Sequence, residues 1–123
     1  DAGPRVIFTD PEVGCVGLTQ SDALLKGFRV KTGTFHFRGL GRAHASGEIA
    51  GFAKIVADEK DDRVLGVHII GAHASELVHS GCFIVGKKLT TREASDMLYA
   101  HPVFSEVIAE ALWDVHGEAI HKL

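Results

Sequence analysis

Much that would announce a function is missing from this sequence. It contains no G-x-G-x-x-G and no G-x-x-x-x-G-K-[ST] run, so the chain has no dinucleotide fingerprint and no phosphate loop of its own. There are two cysteines, Cys15 and Cys82, sixty-seven positions apart and outside any C-x-x-C pair, which removes zinc-ribbon and thioredoxin-type motifs. Both are expected to be buried thiols in a reducing compartment. No apolar run approaches the ~20 residues needed to span a bilayer, and no signal-peptide pattern opens the chain. Excess positive charge is missing too. The 13 Lys and Arg are interspersed with 16 Asp and Glu, giving a formal net charge of −3 and no footprint for nucleic acid. A cytoplasmic protein with neither nucleic-acid nor membrane partners is the expectation.

What is present is ordinary globular composition: 123 residues, 46% hydrophobic and 24% charged, enough for one domain with a real core. The opening "DAGPRVIFTDPE" has no initiator methionine and enters directly into a strand-like run, so the chain reads as a piece of a longer polypeptide.

Turn residues and apolar periodicity divide the chain. Arg5–Thr9 reads as a strand stopped at Asp10-Pro11, and Val13–Leu18 as a second, with Gly14 and Gly17 permitting close backbone approach. Thr19 caps a short helix that ends before Gly27. Phe28–Phe37 alternates as a strand whose facing changes near Gly33, as at a bulge. Gly39–Gly51 reads as a loop. Phe52–Ala57 and Val64–Ile70 form a hairpin around the charged turn "DEKDDR".

Helices follow. Ala74–Lys87 has helical spacing, with Leu77, Val78, Phe83, Ile84 and Val85 on its apolar side and Gly81 and Gly86 as costs. A further helix starts at Thr90 or Thr91, with Glu93 reaching back to the cap, and a last one covers about Ser105–Val115 with Val107, Ile108, Ala111 and Leu112 on one face. Strands first, with one early helix, then helices: the fold class is α+β, an antiparallel sheet covered on one side by helices.

One short stretch carries chemistry. In "YAHPVFSEVIAEA" Pro102 restricts the backbone of His101, and Glu106 falls in the first turn of the following helix, where the dipole favours its charge. A carboxylate bonded to one ring nitrogen fixes the tautomer and raises the basicity of the other. Such a pair suits proton transfer to and from a nucleophile. Spacing alone leaves two readings open, an acid/base pair and a capped helix with a surface histidine.

Several segments together resemble one family. "VIFTDPEVGCVGLTQSDA" (6–23), "GFAKIVAD" (51–58), "VLGVHIIGAHASELV" (64–78) and "HPVFSE" (101–106) resemble, in order, the C-terminal interface domain of the flavin-dependent pyridine nucleotide–disulfide oxidoreductases. The dihydrolipoamide dehydrogenase branch is most similar; the glutathione reductase and mercuric reductase branches are relatives. The resemblance implies a homodimer formed through this domain, with His101 reaching the partner's dithiol/disulfide site as acid/base and Glu106 orienting it. It also implies that the backbone at His101 and Pro102 lies against the partner's flavin. FAD and NAD would be held by two further domains of the parent, which are not in this sequence, so the chain alone should hold neither cofactor and be inactive. Neither Cys15 nor Cys82 can replace the family's C-x-x-x-x-C pair. The ending "GEAIHKL" lacks the vicinal cysteines of mercuric reductases, and Val103 stands where relatives often carry threonine, with Phe104 beside it. A pure association module is the alternative.

Eight histidines raise the question of a metal. His73 and His79 are six apart and His116 and His121 five apart, which are not ligand spacings on one helix face, and His68 stands in a strand, so no metal is expected. Gly39–Ala43 reads either as a ligand loop or as a flexible connection, and Gly71–Ala74 as a helix start whose small residues serve packing or an interface. Trp113, near the Glu106–Glu110 side of the last helix, reads as an interface residue or as packing on the chain's own sheet.

Overall fold

The computed structural model describes residues 3–39, 50–96 and 106–117. Five strands, β1 (Arg5–Ile7), β2 (Val13–Gly17), β3 (Val30–His36), β4 (Gly51–Asp58) and β5 (Val64–Gly71), form one sheet in the order β1-β2-β5-β4-β3. Every pairing is antiparallel. Among the described residues the helices are α1 (Gln20–Leu25), α2 (Ala74–Gly86), α3 (Thr91–Ser95) and α4 (Glu106–Asp114), and a 3-10 turn, Phe37–Gly39, follows β3. The expected α+β fold is observed.

Alternation decides which residues meet. Val16, Phe35, Ala53, Ile55, Val67 and Ile69 share one sheet face and pack against Val78 and Ile84 of α2 and Val107, Ile108, Ala111 and Leu112 of α4. On the opposite face, at one end, α1 closes a small second cluster of Ala23, Val56 and Leu65. The caps follow their sequence signals. Thr19 Oγ1 accepts the Asp22 N–H at 3.0 Å. Thr90 and Glu93 form a reciprocal capping box at α3.

Two expectations are corrected. No bulge lies at Gly33, where β3 pairs in continuous register with β4 from Val30↔Asp58 to His36↔Phe52. The bulge is in the neighbouring pair, where Val56 faces Gly66 but Ala57 faces Val64, leaving Leu65 as the extra residue. Arg29, Lys31, Phe35 and Phe37 differ in chemistry because different elements cover them, and the backbone does not change face. Phe83 is 54% exposed and lies off the packed side of α2, which is Ala74, Val78, Gly81 and Ile84. Gly81 is required there, because a Cβ at this position would meet Val67 Cβ at 2.9 Å.

Candidate functional site

The carboxylate singled out by the sequence opens α4, and α4 is anchored at its far end. Four apolar residues, Val107, Ile108, Ala111 and Leu112, are fully buried against the sheet. A side chain at Gly33 would run into the Ala111 carbonyl and Val115, so its absence sets how close the helix lies to β3. Asp114 Oδ2 accepts the Thr34 N–H at 2.8 Å, taking up a donor on the edge strand. Just past the helix, His116 Nε2 lies 2.6 Å from Thr91 Oγ1 and 3.3 Å from Asp62 Oδ1.

Glu106 therefore stands ~12 Å along the axis from this pinned end. It is half-buried and in the first helical turn, where the helix dipole favours a carboxylate. Glu110, one turn on, is 2% exposed. Trp113 follows on the same side, half-buried. His101, Pro102, Val103 and Phe104 lie outside the described residues, as do Tyr99, residues 40–49 and His121. The pairing of His101 with Glu106 thus has one described member.

The end of the sheet opposite the β4–β5 turn gathers the β1–β2 turn, which includes a cis Asp10–Pro11 bond, and the start of α2. His73, the N-cap of α2, is in the left-handed region and provides no side-chain cap. Glu12 replaces it: its carboxylate accepts the Ser75 N–H at 3.0 Å and the Ser75 hydroxyl at 2.7 Å. These bonds hold the Glu12 carboxyl below its usual range, the backbone bond contributing most. Gly71 lies against the Phe37 ring, which fills the space a side chain would need. The packing reading of Gly71–Ala74 is thus observed at Gly71.

His68 and both cysteines have structural surroundings. His68 Nε2–H donates to Leu18 O at 2.8 Å, and burial foremost lowers its pKa. Cys15 and Cys82 are free thiols, half-buried where full burial was expected, and partial burial raises the pKa of each. That keeps them protonated and poor nucleophiles. Among the described residues no group of three His, Cys, Asp or Glu side chains is placed to hold a metal ion, and no helix is long and apolar enough to cross a membrane.

A polar cluster that the sequence reading missed joins the β4–β5 turn to α3 and the end of α4. Asp62, with φ 68°, accepts hydrogen bonds from the Thr91 hydroxyl and from the Arg92 N–H at 3.2 Å, and pairs with Lys31 Nζ at 2.8 Å. Burial alone would raise its carboxyl, but these partners outweigh it and the net shift is downward. Its members are scattered through the chain, so no local motif marks them.

Comparison with known proteins adds the wider setting. The family described as pyridine nucleotide-disulphide oxidoreductase, dimerisation domain, matches residues 3–112. A dihydrolipoyl dehydrogenase of Haloferax volcanii is 39% identical over 122 residues, 99% of this chain and 26% of that protein. One from Bacillus subtilis is 40% identical over 118 residues, covering 96% of this chain and 25% of that protein. Among solved structures, LpdA from Mycobacterium tuberculosis superposes with a TM-score of 0.84 at 29% identity, over 90% of this chain and 24% of that one. The HOCl-induced flavoprotein disulfide reductase RclA from Escherichia coli, as its Cu(II) complex, shares the fold, with a TM-score of 0.85 at 22% identity over 91% of this chain and 25% of that one. The chain spans about a quarter of the length of the curated relatives it matches.

Proposed function

The chain belongs to the pyridine nucleotide-disulphide oxidoreductase family as its dimerisation domain, and on that premise we propose that it serves an FAD-dependent, NAD-linked dithiol oxidoreductase of the dihydrolipoyl dehydrogenase type. In this reading two copies associate through the domain, and further domains of the parent hold FAD and NAD. Each copy lends His101 and Glu106 to the dithiol/disulfide site of the other. A reducing compartment such as the cytoplasm suits the two free, protonated thiols.

The observation that carries the reading is Glu106: a half-buried carboxylate in the first turn of a firmly anchored helix, at the end of the H-P-x-x-S-E segment. The resemblance puts the chain's contact with the partner's flavin at His101 and Pro102, beside this carboxylate. When bound, the flavin supplies electron transfer. The chain's own part is proton transfer. Glu106 accepts one ring N–H of His101, and the other ring nitrogen takes the proton from a substrate thiol as its sulfur attacks a disulfide. One S–S bond forms, one breaks, and the imidazolium returns the proton to the departing thiolate.

The test uses the full-length enzyme. His101→Gln is expected to lower dithiol turnover by roughly a hundredfold or more while flavin content is retained. Glu106→Gln should act more mildly and shift the pH profile of turnover. Undiminished turnover in His101→Gln would reduce the domain to an association module.

A further inference from the structure

The opposite end of the molecule holds a cleft that the acid/base reading does not use. Its volume is about 500 Å³ and its apolar lining, here called its floor, includes Leu18, Phe28 and Leu65. Leu18 N–H donates to Leu65 O at 2.9 Å, so strand and helix entry are joined beneath it. Arg5, Lys26, Arg63 and Lys88 line it, against one carboxylate, Asp22. This cationic lining belongs to a chain whose formal net charge is −3. Among the described residues none of the four cations takes part in an ion pair.

Ordinary causes explain part of this. Lys26 and Lys88 follow the C-termini of α1 and α2, where the helix dipole favours cations. Arg5 Nη2 donates to Gly17 O at 3.0 Å, and the Arg63 guanidinium stands 6.0 Å from the Phe28 ring centroid. These causes do not explain why four cations from β1, the end of α1, the start of β5 and the end of α2 converge on one concavity. Nor do they explain the backbone at Lys88. There φ is 55°, with Lys88 N–H bonded to Val85 O and Leu89 N–H to Ile84 O, both at 3.1 Å. Glycine favours this helix-ending conformation, yet the position carries a lysine that lines the cleft.

We infer that this cleft binds a small organic anion with two or more negative charges, carried on phosphate or carboxylate groups, and an apolar portion that rests on the floor. Its volume is in the range of small-molecule sites. Arginine presents forked donors that match such oxyanions, and the lysines add point charge. Asp22 is one helical turn before Lys26 and offsets it, which leaves Arg5, Arg63 and Lys88 as the effective charge.

The experiment is calorimetric titration of the full-length polypeptide that carries this domain, with inorganic pyrophosphate and, separately, with citrate. Saturable binding that weakens with added salt is expected. An Arg63→Gln/Lys88→Gly double variant should bind at least about fivefold more weakly. Lys88→Gly alone relaxes the backbone, so it should weaken binding while melting no earlier than the parent. That separates a lost site from a lost fold. Lys87→Gln, at an exposed neighbour that does not line the cleft, should bind like the parent. Tighter pyrophosphate binding identifies a phosphate ligand, and tighter citrate binding a polycarboxylate. No saturable binding of either anion, or equal affinity in parent and double variant, would overturn the inference.

Discussion

His68 shows how the sheet changes the chemistry of a single side chain. Burial lowers its pKa from 6.5, and Arg5 and Lys54 act in the same direction, against the opposing pull of its bond to Leu18 O and of Asp22. Below about pH 6.5 the unfolded chain takes up a proton that the folded chain resists, so the folded state loses stability as acid is added. His68→Gln keeps a donor for Leu18 O but cannot titrate. Urea unfolding at about pH 7.5 and about pH 5.5 should therefore show a smaller acid loss in the variant than in the parent. Residue-scale legibility was uneven. Thr19, Thr90 and Glu93 were readable as caps because their partners are three positions away. Glu12 was not, since the Ser75 it caps is 63 positions distant. The Asp62 cluster was hidden for the same reason, with Thr91 29 positions away.

Among the elements, α4 depends on a neighbour having no side chain. Gly33→Ala would press a methyl group into the Ala111 carbonyl, and neither backbone can yield cheaply. The expected cost is about 1–3 kcal/mol in chemical denaturation. On the proposed role of Glu106, which α4 carries, turnover of the full-length enzyme should also fall, while Gly86→Ala, at an exposed position, should leave turnover unchanged. The strands were legible because alternation is a local signal, and so was the buried face of α4. The exposure of Phe83 was not, because periodicity marks several faces of α2 and only the sheet selects Val78 and Ile84. The bulge was misplaced for a related reason. A change from Lys31 to Phe35 on one face looks like a change of facing when the covering helix is unknown.

For the molecule as a whole, stability rests on the layer between the sheet and helices α2 and α4. Ile108 is fully buried in that layer, and Ile108→Ala is expected to cost about 2–5 kcal/mol, read as a lowered denaturation midpoint with an unchanged slope. The strand order has a temporal consequence. The middle of the sheet is β5, the last strand in the chain, and it pairs Cys15 with His68 on one side and Lys54 with His68 on the other. The β1–β2 ribbon made first therefore has no lateral neighbour until Val64–Gly71 has left the ribosome. The β4–β5 hairpin can close early because its loop is short. Docking the first ribbon then closes a loop of about fifty residues, so this late, long-range step should limit the folding rate.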